Sequence, residues 1–140
     1  ESTLYTLTTP EYDALTTSDN DVLLCNLFIY PEEAGYVSEF CVSDSYHPKI
    51  TLSFSKLHTA KIPGVTITWS QTCNEWATSF KLTAYSGKAV VSTKTVQNKD
   101  SVLSEVEWEI SGYDSVSLEI ISWCISNRRA RLEKIQLRMN

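Results

Sequence analysis

Aromatic rings beside amides and a few ionic groups are the chemistry on offer in this chain. Trp76 follows Asn74 and Glu75 and opens the run "EWATSFKLTAYSG" at 75–87, Trp123 is soon followed by Asn127 and Arg128, and Tyr46 and His47 stand just before Pro48. A pyranose has an apolar C–H face that packs on an aromatic ring, and its hydroxyls demand paired donors and acceptors, so this set fits sugar recognition. Catalysis is poorly provided for. There is no Gly-x-Ser-x-Gly elbow and no phosphate-cradling glycine loop among only 4 glycines, and the 2 histidines, His47 and His58, fall at opposite ends of the strand pattern described below. Glu105, Glu107 and Glu109 alternate with Val106, Trp108 and Ile110. They form a solvated stripe beside an apolar face, whereas a glycosidase carboxylate pair needs a cleft. No catalytic residue and no enzyme activity are expected.

Metals and cofactors fare no better. Cys25, Cys41, Cys73 and Cys124 are widely and irregularly spaced, without a Cys-x-x-Cys pair or neighbouring histidines, which speaks against zinc. They are expected to be thiols, mostly buried as small hydrophobes, with no disulfide. Asp19, Asn20 and Asp21 resemble a fragment of a calcium loop that lacks its glycine and terminal glutamate, leaving a structural calcium as the one candidate ion. The expected set is therefore no cofactor and no metal ligand.

The elements that must position these groups follow a period of two. Ile50, Leu52 and Phe54 alternate with Thr51, Ser53 and Ser55, and Val65, Ile67 and Trp69 with Thr66 and Thr68. Such alternation of apolar and polar positions, rich in β-branched and aromatic residues, predicts half-buried strands. Further strands are predicted at 22–30, 36–43, 78–85, 88–97, 115–123 and 129–137, separated by turn-forming stretches such as "PEEAG", "YSGK", "QNKDS" and "SGYDS". Residues 10–16, "PEYDALT", form the one candidate helical turn, and 1–21 is otherwise Thr-rich and weakly patterned. Eight or nine short strands without helices predict an all-β fold, an antiparallel β-sandwich or jelly roll, as a single domain over 1–140. Leu52, Phe54, Ile67, Trp69, Phe80, Leu82, Trp108, Val116, Leu118 and Ile120 are expected to face the core.

Charge limits the partners. A net charge of −5 repels phosphate backbones, so nucleic acid is not expected, and no stretch has the roughly 20 apolar residues that a membrane-spanning helix requires. No membrane insertion is expected. The first residue is Glu1 and no leader pattern follows, which reads as a piece of a longer protein. Arg128, Arg129, Arg131, Lys134 and Arg138 all fall in the last 13 positions and can serve a local anionic group.

From residue 50 to 137 the sequence resembles the discoidin or coagulation-factor C-terminal-type domains of the galactose-binding-like jelly-roll superfamily. "WATSFKLTAYSG" is similar to that family's Trp-Val-Thr-Ser-Tyr-x-Leu-x-Tyr-Ser strand, "VSLEIISW" to its penultimate strand, and Arg129, Arg131 and Glu133 to its closing Arg-x-Arg-x-Glu strand. The final "RRAR" also resembles modules of this superfamily in tail proteins of phages and prophages of Gram-positive bacteria. The terminal disulfide of the discoidin pattern has no counterpart here, and the N-terminal ligand loops do not align to 1–49. The resemblance implies a carbohydrate-binding or adhesion module, extracellular or on a virion tail, carried by a larger protein and binding a cell-surface glycan. The alternative is a structural or protein-interaction domain of a tail assembly without a glycan ligand.

Because successive antiparallel strands reverse direction, alternate connections collect at one end. The connections at 44–49, 70–76, 98–101 and 124–128 should share an end, and the turns at 86–88 and 111–114, with the C-terminus, should share the other. The first end gathers the expected ligand-binding residues Trp76, Asn74, Glu75, Trp123, Asn127, Arg128, Tyr46 and His47, with Asn98 nearby; the other offers Ser86, Gly87, Lys88, Gly112, Tyr113 and Asp114. Each has a structural alternative. Trp76 shares parity with Phe80 and Leu82 and can close the core rim, the face of Trp123 is undecided, His47 can simply be exposed, and Arg129 and Arg131 can brace a sheet edge through Glu133 or Glu119.

Overall fold

The computed structural model of the chain describes residues 3–5, 14–17, 22–23, 36–58, 62–69, 76–98, 103–123 and 129–139. They form β1 (Thr3–Tyr5), β2 (Ala14–Thr17), β3 (Val22–Leu23), β4 (Tyr36–Cys41), β5 (Lys49–His58), β6 (Ile62–Trp69), β7 (Ala77–Ser86), β8 (Ala89–Gln97), β9 (Leu103–Ile110), β10 (Tyr113–Trp123) and β11 (Arg129–Met139). One sheet runs β3-β4-β11-β6-β9, with β1 also paired to β11, and the other runs β2-β5-β10-β7-β8; every pairing is antiparallel. The sheets stack so that β2 lies against β3 and β8 against β9. No helix occurs among the described residues.

The period of two produces the core directly. Leu52, Ile67, Trp69, Phe80, Leu82, Trp108, Leu118 and Ile120 are all buried, with Val116 partly buried against them; the side chain of Phe54 lies outside those described. Trp69, fully buried, meets Phe80 and Trp123 edge-on with ring centroids 5.2 and 5.6 Å apart, so one β6 ring contacts two strands of the opposing sheet, β7 and β10. Its Nε1–H donates to the Ser104 hydroxyl of β9 at 2.8 Å, which satisfies a polar atom that burial would otherwise strand.

The structure departs from the sequence reading at four places. Residues 14–16 of the candidate helical turn belong to β2, whose Ala14 and Thr17 pair with Ser53 and Ile50; strand pairing overrides a weak local preference, while 10–13 lie outside the described residues. Tyr113 is the first residue of β10 and only 1% exposed, and burial pushes its phenol up to about 12. β11 is not a sheet edge but lies between β4 and β6, and among the described residues no ion pair joins Arg129 or Arg131 to Glu133 or Glu119. Cys41 is an exposed thiol and not a buried one; Cys25, Cys73 and Cys124 lie outside the described residues, as do Asp19, Asn20 and Asp21.

The turn between β7 and β8 shows how local chemistry fixes the far end. Gly87 takes φ 62°, a left-handed conformation that costs a Cβ-bearing residue energy, and its N–H donates to both carboxylate oxygens of Asp114 at 2.9 and 3.1 Å. The 86–88 and 111–114 turns are thereby tied together.

Candidate functional site

Strand register settles which connections meet. Lys49 at the start of β5 pairs with Glu119, and Ala77 at the start of β7 pairs with Trp123 at the end of β10. β5 and β7 flank β10, so Lys49 and Lys81 lie on either side of Glu119, about two strand spacings or roughly 10 Å apart, and β7 begins four residues further toward that end, beside Trp123. In the other sheet Trp69 pairs with Leu132, Thr68 with Leu103 and Cys41 with Arg129. The connections after β4, β6, β8 and β10 therefore leave from one end. His58 pairs with Tyr113 at the opposite end, far from His47.

The segment after β4 is built tightly. Ser43 and Tyr46 exchange backbone hydrogen bonds of 3.1 and 3.2 Å, and the buried Pro48 accepts the Ile120 N–H at 2.8 Å, docking the segment onto β10. His47 is not simply exposed: its Nδ1 lies 3.4 Å from Glu119 Oε2, with both side chains about one-third accessible. Glu119 also stands directly opposite Lys49 and Lys81 on the flanking strands. Of these three basic residues His47 is in contact with the carboxylate, while the Lys49 Nζ lies 5.9 Å from the centroid of the Tyr85 ring.

Trp76 is partly buried and packs against the core cluster, and its Nε1 is buried without a hydrogen-bond partner. The ring thus packs on the rim of the core, with its indole N–H buried and unsatisfied. Trp123 is only 7% exposed and edge-on to Trp69, so it lies in the core beneath this end. The reason is a bulge: Ile120 pairs with Phe80, Ser122 with Ser79 and Trp123 with Ala77, and the irregular register turns Trp123 inward with Ile120. Ser122 fills the bulge by bonding the hydroxyls of Thr78 at 2.5 Å and Ser79 at 2.8 Å. Asn98 is structural, its amide donating to Ala77 O at 2.8 Å and its N–H to Thr78 O at 2.9 Å. Asn74, Glu75, Asn127 and Arg128 lie outside the described residues, within connections that belong to this end.

Alternation missed one residue here. Phe40, near the end of β4, is 52% exposed and edge-on to Tyr46, with ring centroids 5.4 Å apart. Its strand was predicted, but nothing in "YVSEFCV" marks the ring as outward.

No family model matches the chain, and no curated protein matches it in sequence. Solved structures do match in three dimensions. The family 32 carbohydrate-binding module of NanJ from Clostridium perfringens, in complex with galactose, aligns with TM-score 0.65 at 11% identity over 89% of this chain and 92% of that one. Chitosan-binding module 1 of a chitosanase/glucanase from Paenibacillus sp. IK-5 aligns with TM-score 0.65 at 12% identity over 91% and 95%. The fold is the galactose-binding-like jelly roll. A structure holding CBM32-1 and CBM32-2 of Clostridium perfringens ZmpB aligns over 100% of this chain with TM-score 0.69 and 12% identity, and the chain spans 41% of its length. Among the described residues of this jelly roll, no group of three or more His, Cys, Asp or Glu is gathered to hold a metal ion, and no helix is long and apolar enough to cross a membrane.

Proposed function

We propose that the chain, as one module over 1–140, is a non-enzymatic carbohydrate-binding domain that holds a glycan at the loop end. The observation that carries this reading is Trp76, a half-buried ring at that end with an unsatisfied N–H, a donor that would suit a sugar hydroxyl once loops or ligand rearrange around it. It is supported by the sugar-binding character of structures sharing the fold, among them modules complexed with galactose and with 4,5-unsaturated mannuronic acid. Asn74, Glu75, Asn127, Arg128, Tyr46 and His47 are the polar and aromatic partners in this proposal, with Trp123 supporting them from the core. The larger protein is a tail or surface protein that attaches to a host cell glycan, a setting suggested by the closing "RRAR" strand.

A glycan array probed with the 140-residue chain tests the reading, followed by affinity and melting midpoint of Trp76→Ala. Affinity should fall strongly while the fold survives, with a stability loss below the roughly 3–5 kcal/mol of a fully buried tryptophan, because this ring is only partly buried. An array without binding, or unchanged affinity with a collapsed midpoint, would overturn it.

A second reading draws on β8, an edge strand whose Val90 and Val91 are 58% and 40% exposed. Unpaired backbone groups beside exposed valines are a docking edge for another polypeptide, which suits a structural role in an assembly. An array that stays empty while the chain co-assembles with neighbouring domains of its parent protein would favour it.

A further inference from the structure

Phe40 is held out by a device in the strand itself. Arg129 pairs with Cys41 and Arg131 with Val37, so residues 129–131 of β11 face residues 37–41 of β4, and the register breaks between them. A bulge of this kind bends the strand and re-aims a side chain, and bulges concentrate at sheet rims and beside sites. The extra residues are pinned by one hydroxyl: Ser38 Oγ accepts the buried Ala130 N–H at 2.8 Å and donates to Phe40 O at 2.9 Å. Tyr36 and Ser38 are each 1% exposed and Val42 8%, so a regular strand would bury Phe40 with them. Instead the ring is 52% exposed and braced edge-on by Tyr46. Single exposed apolar residues are ordinary on protein surfaces. This one is set apart by a bulge, a bridging hydroxyl and a second ring that together fix its position.

We infer that Phe40 is a second ring-stacking contact of the same end, taking the apolar C–H face of a sugar residue beyond the one at Trp76. The inference rests on the carbohydrate-binding reading above and deepens it by ligand length. Because β2 lies against β3 and β8 against β9, β4 lies over β5 and β6 over β7. The start of β7 is thus one sheet gap and two strand spacings from β4, roughly 14 Å. That is farther than one pyranose spans, so the occupant of both rings is an oligosaccharide.

The 140-residue chain is screened on an array that includes galactose-, N-acetylgalactosamine- and mannuronate-terminated chains. The strongest-binding oligosaccharide and its terminal monosaccharide are then titrated calorimetrically into wild type, Phe40→Ala, Phe40→Leu, Phe40→Tyr and Trp76→Ala. Loss of a stacked ring in Phe40→Ala should weaken the oligosaccharide about tenfold. Monosaccharide affinity and melting midpoint should barely move, Phe40→Tyr should retain binding, and Phe40→Leu should not. Unchanged oligosaccharide affinity in Phe40→Ala, with wild type binding, would overturn the Phe40 contact alone. A wild-type chain that binds no array glycan would overturn the carbohydrate reading and this contact with it.

Discussion

Ser104→Ala isolates one hydrogen bond under the loop end. Trp69 is 0% exposed and Ser104 5%, and the indole N–H reaches the hydroxyl at 2.8 Å. Removing the acceptor leaves a buried donor unpaired, which costs about 1–3 kcal/mol, whereas removing both partners together can be nearly neutral. For a chain of this size the single change should lower the melting midpoint by about 3–10 °C. The decisive comparison is the same substitution in a Trp69→Phe background, where no N–H remains to be stranded. Urea unfolding of the four proteins of this cycle gives the coupling directly, provided the denaturant slope is unchanged. The reasoning fails if Ser104→Ala costs the same in both backgrounds, or less than about 0.5 kcal/mol in wild type, within the scatter of surface substitutions. Since Phe80 and Trp123 both lean on Trp69, near-ultraviolet circular dichroism should report the loosening at the same time.

Tyr113 sets an alkaline limit: with its folded phenol raised to about 12 and the unfolded one near 10, the unfolded state releases its proton first. Stability present below pH 10 should therefore fall by about 1.4 kcal/mol per pH unit between 10 and 12, and Tyr113→Phe should flatten that slope. Gly87→Ala places a Cβ at φ 62°, in open space but in a strained conformation, and should cost about 1–2 kcal/mol by denaturant unfolding. Cys41 should react with a thiol reagent in the native state, and all four cysteines should titrate after unfolding without reductant; fewer thiols would indicate a disulfide.

Strand positions were readable because burial on one face of a sheet writes apolar residues at every second place, as in Val106, Trp108 and Ile110, which are 4%, 4% and 3% exposed. β1 and β2 were obscure because strands of three and four residues are too short to show a period, and their positions come from partners distant in sequence; β3 falls within the strand expected at 22–30. Bulges were the second blind spot. Extra residues leave no mark on composition: one in β10 reverses parity beyond Ile120 and turns Trp123 inward, and two in β4 set Phe40 outward between the buried Ser38 and Val42. At the loop end, the meeting of connections followed from antiparallel alternation alone, while the His47–Glu119 contact depended on how the segment before Pro48 docks on β10.

The pairing of β1 with β11 has a consequence for how the domain is carried. Thr3 lies opposite Met139 and Tyr5 opposite Leu137, and the same stretch of β11 pairs Arg138 with Gly64, toward the pole of the 111–114 turn. Thr3 and Met139 thus lie side by side at the pole away from Trp76 and Phe40. Paired ends of this kind, set apart from the loops, suit a module held within a longer polypeptide like a bulb in its socket.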